Sequence, residues 1–369
     1  MPDNVVLEKA SLLCYRIFDV ADEIHLETAR KKIAADTRRM RLTRAGSENL
    51  QLRNPPLTID LGKKTLDLTN EQFTVDAVAR LFEHGAISII LRVPLPPGTS
   101  LDALVPLADE VFDSLAVDQL SIELTNGLRR DLVAALEREH MWEQSESYTI
   151  VFVEKIEGSP TAAQILERVD LARLLLGETG EQQLSMQERA EVTQHAFAYT
   201  DQDLAVIDWN AAFVYEPSGS HDIPDVLEIC NAQLLEFRYY DELLDVSIAS
   251  VYDGLSRQDS SWKSMLRSPY RRMARRVLVT LFEINEFTER VENSLKIIGD
   301  FYLARVYEGA VKGLRIRQWQ SNVTRKQQLL ASTWGLLKGE VDTARSLTLE
   351  ATIVILIVLE IVLAFAKIL

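Results

Sequence analysis

Little in this chain points to covalent chemistry. Its 369 residues include two cysteines, Cys14 and Cys230, and five histidines. Each cysteine lies in an apolar run, one strand-like and one helix-like, so buried free thiols are expected rather than a disulfide. The histidines His25, His84, His140, His195 and His221 are scattered, and no two share one element at metal-ligand spacing. No GxxxxGK[ST] loop, GxGxxG, GxSxG or CxxC occurs, which removes the local signatures of phosphate-loop, dinucleotide, serine-hydrolase and thiol-redox or zinc sites. Pro97-Gly98, Gly177 and Gly180 form no phosphate cradle. Positive charge is also short: 40 Lys and Arg stand against 55 Asp and Glu, a net charge of −15, which argues against generalised nucleic-acid affinity and leaves only local basic patches. The N-terminal MPDNVVLEKA lacks the basic, apolar, small-residue progression of a secretory signal or transit peptide. No catalytic, cofactor-binding or metal-ligating residue is therefore expected, and no cofactor.

What the chain does have is one long hydrocarbon run. Ala351 to Leu369, ATIVILIVLEIVLAFAKIL, reaches roughly 28 Å as a helix, against a bilayer core of about 30 Å. No other segment is comparably apolar. Before it, no acid occurs between Glu308 and Glu340, while Lys312, Arg315, Arg317, Arg325, Lys326 and Lys338 do. Nearer the span the signs mix, with Lys338 and Arg345 against Glu340, Asp342 and Glu350. The expectation is a single-pass, tail-anchored membrane protein with its bulk in the cytoplasm, at a bacterial inner membrane.

The 47% hydrophobic fraction supports a folded core, and the length fits two domains plus an anchor. Residues 1–216 read as an α+β head. Ala10 to Phe18 and Tyr148 to Ile156 are strands, and His25 to Ala35 is a helix. Leu57–Leu61 and Lys64–Leu68 alternate around Gly62-Lys63 as a hairpin, and Val75 to Val93 forms a second hairpin around His84-Gly85. Ser100 caps a helix ending near Leu115; further helices cover Leu128 to Arg138 and Thr161 to Leu176. His195 to Glu216 reads as a three-strand meander. The acidic run Asp201, Asp203, Asp208 with Asn210 does not match a calcium loop and reads as turn chemistry.

A linker at 217–222 precedes a change of period. From 223 to 346 the pattern is that of long, coiled-coil-like helices. Ile223, Leu227, Cys230, Leu234, Phe237, Asp241, Leu244 and Ile248 step by fours and threes, with Asp241 the one polar break. A second helix is expected from Tyr270 to Tyr307, and a third from Ile316 runs on into the anchor at 347–369. The fold class is thus an α+β head, an antiparallel helical stalk and one C-terminal transmembrane helix.

The segment from Arg315, RIRQWQSNVTRKQQLLASTWGLLKGEVDTARSLTLEATIVILIVLEIVL, is similar to the end of the required-for-meiotic-nuclear-division family, a group of unknown function. Leu349-Glu350 resembles that family's pair at the membrane edge, and Glu360 its acid within the span. The resemblance implies a non-enzymatic, membrane-anchored factor, and imports no catalytic residues.

Three groups are the candidate contact sites. Glu350, Glu360 and Lys367 mark the membrane or oligomer contact. A carboxylate at the bilayer centre costs about 2.5–3.5 kcal/mol on insertion scales, so Glu360 needs a partner or a tolerant apolar setting; Lys367 can snorkel to an interface. Lys263, Arg267, Arg271, Arg272, Arg275 and Arg276 form a basic patch at a helix start, where the dipole disfavours them. Pairing with acids of the same protein is the ordinary reading; anionic lipid or RNA is the alternative. The helical seam itself offers a surface for a second copy or another protein. The leading expectation is a scaffold, tether or assembly factor. Two others stay open: an enzyme or ligand sensor with its site in the head, and RNA or ribosome tethering through the basic patch.

Overall fold

A computed structural model gives the fold and describes residues 5–35, 41–42, 55–68, 71–180, 183–256, 273–282, 284–285 and 301–368. The chain forms two compact units, Met1–Phe237 with Arg290–Gln318, and Arg238–Glu289 with Trp319–Leu369.

The first unit is built on a nine-stranded sheet. Its strands are β1 (Leu7–Asp19), β3 (Arg41–Leu42), β4 (Leu57–Leu68), β5 (Glu71–Leu81), β6 (Ala86–Leu95), β8 (Ser145–Ile156), β9 (Ala196–Phe197), β10 (Leu204–Ile207) and β11 (Ala211–Tyr215). The spatial order is β3-β4-β5-β6-β1-β8-β11-β10-β9. Every neighbouring pair is antiparallel except β8 and β11, which run parallel. β2 (Glu23–Ile24) and β7 (Leu136–Glu137) form a separate ribbon. β1 lies in the middle, paired on both edges, and from Ala10 to Val20 it is buried throughout. That explains its nearly continuous apolar sequence: a strand covered on both faces has no solvent side to alternate with.

One face of the sheet carries Leu12, Cys14, Phe18, Ile89, Leu91, Val151, Val153 and Phe213, which share a core with Ala108 and Val111 of α2 (Val105–Phe112), Val117, Leu128 and Leu132 of α3 (Leu115–Leu132), Ile165 of α4 (Ala162–Arg168) and Leu171 and Leu174 of α5 (Leu171–Leu175). Burial pushes the Cys14 thiol up to about 12, so both cysteines, free and buried, behave as apolar groups. Arg16 interrupts this face. Its Nε donates to Asp118 Oδ1 at 2.5 Å, and Nη2 donates to the carbonyls of Val111 and Phe112. One buried guanidinium thereby satisfies the last turn of α2 and an acid in the first turn of α3, the ends where each charge is favoured.

The opposite face packs on α7 (Asp222–Ser256) and α8 (Phe301–Gly313). Ile17, Phe82 and Ala86 meet Ala232 and Leu235. Tyr307 donates to Gln233 Oε1 at 3.0 Å.

Several expected elements shift at their ends. The anticipated Gly62 hairpin is a bulge inside one long strand: Gly62 takes φ +74° and its N–H donates to Asp60 Oδ1, while the strand continues to Leu68 along β5. The helix expected to reach Leu115 stops at Phe112, because Ser114 starts a new one, its side chain accepting from Val117 N. That new helix, α3, already ends at Leu132, and 136–137 is strand rather than helix. Thr161 to Leu176 splits at Val169 and Asp170, which caps α5. The β5–β6 hairpin forms as expected around Gly85, whose φ of +105° and position 1.7 Å (for an added Cβ) from Ala21 O leave room for no side chain.

A coiled-coil stalk from Ile223 is a different matter. From Ile223 to Phe237, α7 is buried at every position but the half-buried Ile229, Asp225, Glu228, Asn231, Gln233 and Glu236 included. It is a core helix of the sheet unit there, with no exposed polar stripe. In the second unit, Leu244, Val251, Val277, Ile284, Val323 and Leu330 are buried. The last two belong to α9 (Ile316–Ile368), a 53-residue helix that starts after a turn at Arg315, φ +51°. The expected continuity of this third helix into the apolar end is therefore observed. Of the helix expected from Tyr270 to Tyr307, only 273–282, 284–285 and 301–307 fall within the described residues.

Candidate functional site

The apolar end of α9 is the most distinctive surface. Ser346–Leu363 has a mean hydropathy of 2.3 and none of it is buried in the protein. Ile353, Val354, Ile355, Leu356, Ile357, Val358 and Leu359 all stand in the open. Eighteen helical residues span about 27 Å, close to a bilayer core. This is one helix long and apolar enough to cross a membrane, by length and composition. Glu350 and Glu360 are exposed on it, and Ser346 Oγ lies 3.4 Å from Glu350 Oε1. Lys367 belongs to the same helix, its side chain outside the described set.

The sequence-predicted basic patch is only partly placed. Arg275 and Arg276 are exposed on the helical stretch 273–282, whereas Lys263, Arg267, Arg271 and Arg272 lie outside the described residues. The seam residues divide between the units: Ile223, Leu227, Leu234 and Phe237 are buried in the first, Leu244 is buried and Ile248 half-buried in the second. Asp241 finds its cation on α9: Lys326 Nζ lies 2.8 Å from Asp241 Oδ1 and 2.6 Å from Asp245 Oδ2. Burial pulls the Lys326 ammonium down, but those two carboxylates outweigh it and hold it above its usual value. Arg238 sits over the Trp319 ring, 5.9 Å from its centroid.

The sheet face under α7 holds a polar cluster that the sequence did not announce. Arg80 of β5 reaches Asp225 Oδ1 at 2.6 Å and also Glu228. Burial raises both carboxyls, with Arg80 pulling them back. Nearby, Arg92 contacts His221 Nε2 at 2.6 Å, and the imidazole stacks on Phe152. Burial, then Arg92 and Arg80, depress His221 to about 4, so the ring is neutral and accepts from Arg92. His140 bridges Asp22 (3.5 Å) and Asp19 (3.1 Å), the latter two residues along β1 from the register position of Arg80. Each titratable group here is held by a fixed partner, which suits a structural joint. The available signal was the spacing of Asp225 and Glu228, one turn apart at the start of an otherwise apolar helix.

An open groove of about 570 Å³ lies between His195, Phe197 of β9 and α8. Phe197 lies over Gly309, where an added Cβ would fall 2.2 Å from its ring. Arg305 and Lys312 line the groove, while Glu308 pairs with Arg317. Burial and Lys312 lower His195. The groove thus gathers two cations and the rings of Phe197 and Phe301 along its lining. Asp203 behaves as the expected turn residue, accepting from Tyr199 N, Thr200 N and Tyr302 OH. Among the described residues, no group of three His, Cys, Asp or Glu is placed to hold a metal.

Comparison with known proteins places the head in a family. The family model described as "Uncharacterized protein MJ0711, N-terminal domain" matches residues 9–222, more than half of the chain, and the chain belongs to that family. Uncharacterized protein MJ0711 of Methanocaldococcus jannaschii is 25% identical over 179 residues, which are 48% of this chain and 54% of that protein. The chain thus spans about half the length of the curated relative it matches. No solved structure matches. These findings overturn the likeness to the required-for-meiotic-nuclear-division family: the match falls on the sheet head, to a different family, and stops where α7 begins. The apolar stretch Ser346–Leu363 carries little family information, because any membrane-spanning helix is restricted to such residues.

Proposed function

We propose that this member of the MJ0711 N-terminal-domain family is a single-pass membrane protein acting as a non-enzymatic scaffold, tether or assembly factor. Its sheet head meets a partner at a bilayer to which α9 fixes it. The reading rests on the 18-residue apolar window that none of the described residues covers. Exposing that surface to water forfeits the favourable transfer of every side chain on it, about 25 cal/mol per Å² of apolar area, whereas lipid recovers that energy. The helices of the second unit act as the stalk, and the cations from Lys312 to Lys338 favour a cytoplasmic body. Tethering raises the head's local concentration at the membrane, so even a weak head–partner contact becomes occupied.

Fractionation tests this. Full-length protein is expected in the membrane pellet after alkaline carbonate washing, and in solution once detergent is added. A chain ending at Arg345 is expected in the supernatant. Full-length protein in the carbonate supernatant overturns the proposal.

The groove lined by Arg305 and Lys312 favours a second reading, a ligand-sensing head. Calorimetric titration with inorganic phosphate decides it: binding lost in Arg305→Gln/Lys312→Gln supports a sensor, and no heat at millimolar phosphate removes it.

A further inference from the structure

The charges in the apolar end of α9 are not spread around the helix. Beginning at Gly339, steps of four and three give Thr343, Ser346, Glu350, Ile353, Ile357, Glu360, Ala364 and Lys367. This one stripe carries every ionisable residue between Ser346 and Ile368. It is also helical without interruption, and its members from Ser346 to Glu360 are exposed. Thr352, off the stripe, spends its hydroxyl on the Thr348 carbonyl of its own helix at 2.8 Å, so it asks nothing of a neighbour. Positions spaced by 3.5 residues stay on one side of a helix only if it winds around another.

We infer that α9 pairs through this stripe with α9 of a second copy, parallel and in register, inside the bilayer. The inference rests on the proposed membrane anchoring. A carboxyl in hydrocarbon needs a hydrogen-bonding group at its own depth. Among the described residues no second apolar helix of this chain can bring one. A second copy brings it by construction: in a two-fold pair Glu360 meets Glu360 of the other copy at the same depth. Gly339 and Ala364 fall at positions where small residues let backbones approach. Ile353 and Ile357 supply the packing between the polar layers.

Single cysteines introduced into full-length protein in native membranes test it; Cys14 and Cys230 are buried and give little background. Membrane residence is scored first on each sample by carbonate washing, so that loss of anchoring and loss of pairing read separately. Oxidation is expected to cross-link Ile353→Cys and Ile357→Cys into dimers at least tenfold faster than Ile355→Cys and Leu359→Cys. Glu360→Leu in the Ile357→Cys background is expected to lower the dimer yield several-fold, and Glu360→Gln to retain it. Equal cross-linking at all four positions, cross-links only to a different protein, or full pairing in Glu360→Leu, with the chain still in the membrane, overturns the inference and leaves the anchor standing.

Discussion

Two helical stretches of this protein invert the usual rule of burial. Residues 223–237 of α7 contain Asp225, Glu228, Asn231, Gln233 and Glu236, yet are buried almost all round. Residues 346–363 of α9 are nearly pure hydrocarbon, yet wholly uncovered. Composition ranks them in the wrong order for a protein in water. The first stretch can be interior because several of its demanding groups have an answer there: Arg80 for Asp225 and Glu228, Tyr307 for Gln233, and the Leu227 carbonyl for Asn231. On the proposed anchoring, the apolar helix is exterior because its solvent is lipid. Burial in the first is a matter of matched partners, and exposure in the second is a matter of medium.

The contrast can be broken from either side. Arg80→Met leaves Asp225 and Glu228 buried without a cation and is expected to cost about 3–5 kcal/mol, read as a lower denaturant midpoint of the detergent-solubilised protein. Adding Glu228→Gln to that variant should recover part of the loss; no recovery means the arginine acts through packing alone. On the other side, Ile355→Arg places a charge at mid-span at about 2.5–3.5 kcal/mol on insertion scales, and the membrane-bound fraction should fall sharply. Unchanged fractionation would show that lipid does not surround this face.

Three smaller effects sharpen the picture in the head. Gly309→Ala drives a methyl into the Phe197 ring and is expected to cost about 1–3 kcal/mol, whereas Gly313→Ala, whose Cβ meets nothing nearer than 3.7 Å, should be nearly silent. His140 gives a pH signature. Burial opposes its charge, but the hydrogen bond and charge of Asp19 raise its pKa above 6.5. The stabilisation is therefore full below the unfolded value of about 6.5 and fades as pH rises through the folded one. The stability difference between wild type and His140→Gln should shrink from pH 6 to pH 9; a constant gap contradicts the ion-pair account. Thr161→Ala removes a capping box at α4 and should cost about 1 kcal/mol by the same denaturant assay.

Much of the head was legible from periodicity alone. β1, β8, the β5–β6 hairpin and the β9–β11 meander carry strong local signals, either apolar runs or alternation bounded by turn residues. The misreadings come from residues whose local meaning is ambiguous. Gly62 adopts the positive φ of a turn, but Asp60 holds it as a bulge, and the chain goes straight on. Ser114 is one serine among apolar residues, and only the structure shows it accepting from Val117 N to start α3. The seam of α7 was visible as a stripe. That stripe could not report that the polar residues between its members are buried too, because Arg80 lies 148 residues from Glu228 in sequence. The groove beside Phe197 joins β9 to α8 and is likewise a product of long-range packing. The apolar end of α9 needed no such help.

β1 occupies the middle of the sheet, bonded to β6 on one edge and to β8 on the other. Its second edge stays open until Ser145–Ile156 has left the ribosome, more than a hundred residues after β1 itself. Throughout that interval the nascent chain carries a long greasy strand with an unpaired ladder, a ready target for misassociation. Synthesis halted before β8 should yield insoluble fragments or chaperone-bound ones, and the head should become self-sufficient only once α7 and α8, which cover its other face, have followed β11.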